Sequence, residues 1–191
     1  MCCATKRLTE IQCPDTCRYL ASSREHPPAA VVRQRENDLA QLVAVTQDYS
    51  DLQTAVFVLV NRTILAYEPA GFQALNDDDV AEAAAAMAST LETAVKGLIY
   101  EQRPASLPAA RLVDALRPAI DRAGEGGGTS FERETAVVFR DIDRLARQLG
   151  SASDGSGGYL ALMRRTIGPA AQSRGHAGHA SEPEAPRLIL P

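Results

Sequence analysis

The sequence predicts an all-α fold: a bundle of about four to five helices with a small cysteine-rich N-terminal arm and a disordered C-terminal tail. Three observations lead to this prediction. Aromatic residues make up only 5% of the 191 residues and tryptophan is absent, whereas alanine is very frequent. Alanine favours helices, while sheets are rich in aromatic and β-branched residues. Apolar residues recur at helical spacing over most of the chain, and all four cysteines lie in its first 17 positions.

Composition divides the chain into five segments. Residues 1–28 form the cysteine-rich arm, which holds too few large apolar side chains to fold by burial alone. Residues 29–150 form the helical bundle, and the overall hydrophobic content of 45% is sufficient for its core. Residues 151–158 are a Gly/Ser linker, residues 159–167 a short helix, and residues 168–191 a tail expected to be disordered.

The first two helices of the bundle are predicted on either side of Ser50. The first covers residues 29–47, and its imperfect apolar stripe consists of Val32, Leu39, Leu42 and Val43. The second covers residues 51–67, with Ser50 as its N-cap and Pro69 beyond its end. It is apolar nearly all round, which places it at the centre of the packing. Residues 56–60 could instead be a buried strand, but the length of the segment favours a helix.

The third and fourth helices each begin at a polar cap. Acidic residues 77–79 follow Asn76, where carboxylates face the positive end of the helix dipole, and helical spacing continues to Gln102. Ser106 opens the fourth helix, and Pro118 is expected to kink it or end it early. The apolar stripes of the two helices are Val80, Ala84, Met87, Leu91, Val95 and Leu98, and then Leu112, Leu116 and Ile120.

The fifth helix follows a run of glycines. Residues 124–128 are predicted to be a flexible connector, Thr129 and Glu132 a capping box, and Gly150 the end of the helix. The helix carries the cleanest amphipathic stripe of the chain, which consists of Phe131, Thr135, Val138, Ile142, Leu145 and Leu149. Off that stripe, alternating charges at residues 140–147 indicate a solvated face.

The clustered cysteines predict a structural zinc site, because four thiolates make the closed tetrahedral shell that zinc prefers. The predicted ligands are Cys2, Cys3, Cys13 and Cys17. Pro14 favours a turn between the last two, which form the more secure half of the site. The first two are adjacent, so both can reach one ion only if the backbone bends sharply, and His26 is a possible substitute.

Three other interpretations of the cysteines stay open. An iron–sulfur cluster also takes four thiolates, although these spacings match no familiar cluster-binding run. Redox-active thiols are an alternative, because basic side chains near Cys17 favour the thiolate. Acylation of Cys2 or Cys3 would need a second membrane-binding signal, and the weakly basic arm is a poor one.

Charge and motif content predict a non-enzymatic cytosolic zinc-binding protein that acts as an interaction or adaptor module. The net charge of −4 argues against nucleic-acid binding, and the chain has neither a secretory signal pattern nor a membrane-spanning run. No polar constellation suited to catalysis is evident. The expected partner is a protein, with a homodimer through the helices as a further option. The alternatives are a redox or iron–sulfur sensor and a transcription regulator. Residues 188–190 could dock on a partner or fold back.

Overall fold

The computed structural model describes residues 28–69, 74–152 and 158–168, and within these ranges the chain is all-helical, as predicted. The helices are α1 (Ala29–Thr46), α2 (Asp51–Ala66), α3 (Asp77–Val95), α4 (Leu107–Ala123), α5 (Gly128–Ala152) and α6 (Tyr159–Thr166). Residues 1–27 of the predicted cysteine arm, residues 153–157 of the predicted Gly/Ser linker and residues 169–191 of the predicted tail lie outside the described residues. None of the helices described is both long and apolar enough to cross a membrane.

The chain divides into two compact units, residues 1–44 and residues 45–191. In the first, the stripe predicted on α1 is largely solvent-exposed, with Leu39 at 62% and Val43 at 48% of full exposure. The side chain buried on this helix is instead Asp38, which accepts a hydrogen bond from Gln34 at 2.8 Å. Burial on α1 therefore does not follow the apolar pattern of its sequence.

In the second unit, the most extensive helix–helix contact is between α3 and α5. Small side chains on the buried face of α3 allow this close approach, and α5 meets them with the predicted stripe. The buried residues of α3 include Val80, Ala81, Ala83, Ala84, Ala86, Met87 and Ala88. The prediction that α2 forms the centre is therefore wrong: α2 packs against α4, α5 and α6, beside the main pair.

Reciprocal caps fix the starts of α2 and α3 where the sequence predicts them. The Ser50 hydroxyl accepts from the Gln53 N–H at 3.2 Å, and the Gln53 side chain accepts from the Ser50 N–H at 3.0 Å. Asn76 and Asp79 form the same arrangement, with distances of 2.8 and 3.3 Å. Each box satisfies two backbone donors that a helix start would leave unpaired.

The end of α3 differs from the prediction, because the helix stops at Val95 and not at Gln102. Gly97 adopts a φ of +76°, and the N–H groups of Gly97 and Leu98 donate to carbonyls of the last turn at 2.8 and 3.0 Å. This is a Schellman motif, which glycine favours. The chain then folds back along α3, where the Gln102 N–H donates to the Thr90 hydroxyl at 3.0 Å.

Pro118 lies inside α4 without ending it, because the helix continues to Ala123. The proline is exposed, so it lies off the buried stripe of Leu112, Leu116 and Ile120. Since proline lacks an N–H, one hydrogen bond of the helix is missing at this point.

Residues 124–127 form a tight turn in the segment that the sequence predicts to be a connector. The Gly127 N–H donates to the Gly124 carbonyl at 2.9 Å. A Cβ atom at Gly127 would lie 2.6 Å from the Phe131 Cβ, so glycine is required there. The predicted cap at Thr129 is wrong, because α5 begins at Gly128 and Thr129 therefore lies inside the helix.

At its other end, α5 continues through Gly150, the predicted stop, to Ala152, and Gly150 lies close to Asp77. A Cβ at Gly150 would lie 3.2 Å from the Cβ of Asp77. The Asp77 carboxylate in turn accepts the N–H groups of Tyr159 at 2.8 Å and Leu160 at 2.9 Å. A residue at the start of α3 thus caps α6 and holds it beside the end of α5.

Tyr159 anchors α6 in the core of the second unit. Its side chain is fully buried, and its hydroxyl donates to Asn61 Oδ1 at 2.5 Å. Asn61 is also fully buried and donates from Nδ2 to the Phe57 carbonyl at 2.9 Å. Burial, more than any other effect, raises the pKa of Tyr159 above its ordinary range.

Candidate functional site

The predicted zinc ligands all lie outside the described residues. Cys2, Cys3, Cys13, Cys17 and the substitute His26 belong to residues 1–27. Within the portion that the structure describes, there is no group of three or more histidine, cysteine, aspartate or glutamate side chains able to hold a metal ion. The candidate site that this portion offers is therefore of another kind.

A groove of about 350 Å³ lies between the C-terminal half of α3 and the middle of α5. Its apolar residues are Val95 from α3 and Ala136 and Val137 from α5. Val137 is 43% exposed, although it belongs to the helix with the clearest amphipathic pattern. Concave apolar surface with a charged border is typical of ligand sites.

A bidentate ion pair bridges the two helices at the border of the groove. Arg140 donates from Nε and Nη2 to the two carboxylate oxygens of Glu92, each at 2.8 Å, and from Nη2 to the Ser89 hydroxyl at 3.0 Å. The hydrogen bond from Arg140 is the main reason that the pKa of Glu92 lies below its ordinary value. The two side chains are 40% and 42% exposed, so solvent screens the pair and its role is chiefly to orient Arg140.

Asp141 forms a second polar cluster on the same border. Its carboxylate accepts the hydroxyl proton of Tyr49 at 2.9 Å and pairs with Arg144 one turn along α5. The Tyr49 ring meets Phe57 edge-to-face, with centroids 6.0 Å apart. Burial raises the pKa of Tyr49 above its ordinary range, and the hydrogen bond to Asp141 adds to this effect.

The charges that line the groove leave it net positive. Four basic side chains, Lys96, Arg133, Arg140 and Arg144, face two acidic ones, Glu92 and Asp141. Lys96 and Arg133 take part in no ion pair among residues 28–69, 74–152 and 158–168. They are available to an anionic ligand whose apolar part covers Val137.

The sequence indicates a solvated face for residues 140–147, and this holds only in part. Arg147 pairs with Asp143 at 2.7 Å on the exposed side, as expected of such a face. Arg140 and Asp141, however, reach across to α3 and to Tyr49. Nothing in the spacing distinguishes these side chains from solvated ones, because their partners lie far away in sequence.

Comparison with protein-family models, with curated proteins and with solved structures finds no match.

Proposed function

We propose that the chain is a non-enzymatic interaction module and that the groove between α3 and α5 binds a short peptide segment with apolar and acidic side chains. The observation that carries this proposal is the apolar floor beside the basic side chains of Lys96 and Arg133. Carboxylates of the peptide would pair with these two cations, and its apolar side chains would cover Val95 and Val137. Apolar burial provides most of the affinity, because exposed ion pairs contribute at most about 1 kcal/mol each.

A fluorescence anisotropy titration tests this function. The probe is a labelled synthetic peptide of alternating leucine and glutamate, and we expect a Kd on the order of 10–100 µM, which weakens as salt is added. Val137→Asp places a like charge in the apolar floor and should abolish binding. Leu107→Asp is the matched control, because Leu107 is an apolar residue 61% exposed at the start of α4, outside the groove lining.

A charge reversal separates the electrostatic contribution from the apolar one. Arg133→Glu should weaken binding about fivefold or more at low salt and less at high salt. Arg147→Glu, on the same helix outside the groove lining, should leave the affinity nearly unchanged. Equal affinities of wild type, Val137→Asp and Arg133→Glu for the peptide would refute the proposal.

A second candidate function concerns the clustered cysteines. We propose that the chain is a cytosolic protein that holds one structural zinc ion through Cys2, Cys3, Cys13 and Cys17. Support comes from the clustering alone, since the 174 positions after Cys17 contain no cysteine. Zinc would supply the folding energy that the arm lacks, and the adaptor role would then combine the arm with the groove.

Elemental analysis of protein purified without metal-affinity chromatography tests the zinc proposal. We expect one zinc per chain in the wild type and its loss in Cys13→Ser and Cys17→Ser. Chelation should release the metal while the helical signal near 222 nm largely survives. Zinc-free wild type with reduced thiols would refute the proposal, and a brown preparation would favour the iron–sulfur alternative.

A further inference from the structure

We propose that residues 182–190 of the chain itself occupy the groove between α3 and α5, so that a partner peptide binds only by displacing them. This inference rests on the proposed function of the groove as a peptide site. Its first support is charge and apolar complementarity. The segment carries carboxylates at Glu182 and Glu184 and three consecutive large apolar residues, Leu188 to Leu190. With Arg187 included, its charge is −1 against a groove with two more basic than acidic side chains.

The spacing of the segment matches the layout of the groove. The apolar floor at Ala136 and the exposed basic side chain of Arg144, which also pairs with Asp141, are eight residues apart on α5, or about 12 Å along the helix axis. Glu184 precedes Leu188 by four residues, which span about 13 Å in an extended chain. An extended segment can therefore place its apolar residues on the floor while a carboxylate reaches the basic end.

The connection is long enough for this contact. Thirteen residues separate Gly168 from Glu182, and they can span up to about 45 Å. Gly150, which lies beside the start of α6 through Asp77, is thirteen residues or about 20 Å from Val137 along α5. Even if α6, at about 12 Å, ran directly away from the groove, the total of about 32 Å would be within reach.

Tethering makes the contact effective even if its intrinsic affinity is low. A short linker that can span two sites gives an effective concentration in the millimolar range. A segment whose free peptide binds with a Kd of about 100 µM would then be bound in about nine tenths of the molecules. An external peptide would have to compete with it, and its apparent affinity would fall about tenfold.

The experiment measures binding of a fluorescein-labelled synthetic peptide with the sequence of residues 181–191 to full-length protein. A tail variant with Leu188→Ser, Ile189→Ser and Leu190→Ser should bind the probe about tenfold more tightly than the wild type. His176→Ser, in the same tail outside the segment, should behave as the wild type. Adding Val137→Asp to the tail variant should abolish binding.

The outcomes separate this inference from the proposed function. Equal affinity of wild type and tail variant for the probe would overturn the inference and leave the groove as a peptide site. Binding of the leucine–glutamate peptide, but not of the probe, to the tail variant would also overturn it alone. If the tail variant binds neither peptide, the inference and the proposed function of the groove both fall.

Discussion

Removing the hydroxyl of Tyr159 tests how the last helix is held in the core. Tyr159→Phe keeps the aromatic ring and leaves Asn61 Oδ1 buried without its donor, since both side chains are fully buried. Leaving a buried polar group unpaired costs about 1–3 kcal/mol, whereas removing a solvent-exposed hydroxyl would cost almost nothing. We therefore expect the free energy of unfolding to fall by about 2 kcal/mol and Tm by about 4–8 °C.

A double-mutant cycle assigns this loss to the hydrogen bond. Asn61→Leu alone should also destabilise the protein, because it leaves the Tyr159 hydroxyl buried without an acceptor. The double variant removes both polar groups and should be more stable than the sum of the single changes predicts, with a coupling of about 1–2 kcal/mol.

The assay is urea unfolding followed by circular dichroism at 222 nm, because the chain has no tryptophan to report by fluorescence. The slope of the transition should stay unchanged between variants. Additive single changes, or a loss below about 0.5 kcal/mol for Tyr159→Phe, would refute the conclusion that this hydrogen bond anchors α6.

Three further changes have defined expectations. Asp77→Ala removes the acceptor of two N–H groups of α6, so amide exchange of α6 should accelerate while global stability falls by about 1–2 kcal/mol; unchanged exchange would contradict this. Thr135→Val should be neutral or stabilising by up to about 1 kcal/mol in urea unfolding, because the buried Thr135 hydroxyl has no hydrogen-bond partner among the described residues. The pKa of Tyr49 is raised in the folded state, so its neutral hydroxyl ionises first in the unfolded chain. The contribution of Tyr49 to the free energy of unfolding is therefore fully present below a pH of about 10 and is lost as the pH rises above it. Alkaline thermal melts of Tyr49→Phe should therefore fall less steeply with pH than those of the wild type.

The sequence allowed the helices to be predicted wherever local signals agree with the packing. Ser50 and Asn76 each stand three residues before a side chain that completes a capping box, so the starts of α2 and α3 follow from local chemistry. The stripe of α5 is periodic, and its residues from Phe131 to Leu145 are buried. At the end of α3, the signal was present in Lys96-Gly97, a helix C-terminal pair, although apolar spacing continues beyond it.

The groove could not be predicted in the same way, because its geometry depends on contacts between distant residues. Arg140 and Glu92 are 48 positions apart, and Tyr49 and Asp141 are 92 apart. A charged side chain on a polar helix face has the same sequence pattern whether water or a neighbouring helix receives it. The turn at residues 124–127 could not be predicted for a related reason, because the need for glycine at Gly124 and Gly127 arises from the nearby side chain of Phe131.

The small side chains on the buried face of α3 have a consequence for how that helix is positioned along its axis. The five buried alanines form only shallow ridges, which resist sliding of α3 along α5 weakly. Packing alone therefore defines the position of α3 along the axis of α5 only weakly. Polar side chains near the two ends of α3 contact the neighbouring elements. Asp77 holds α6 and Asp79 accepts from Ser106 at one end, and Glu92 holds Arg140 at the other. The hydrogen bond of this group that reaches α5 is the one between Glu92 and Arg140, so a substitution at Glu92 should alter the alignment of α3 and α5 before it alters the amount of apolar surface buried.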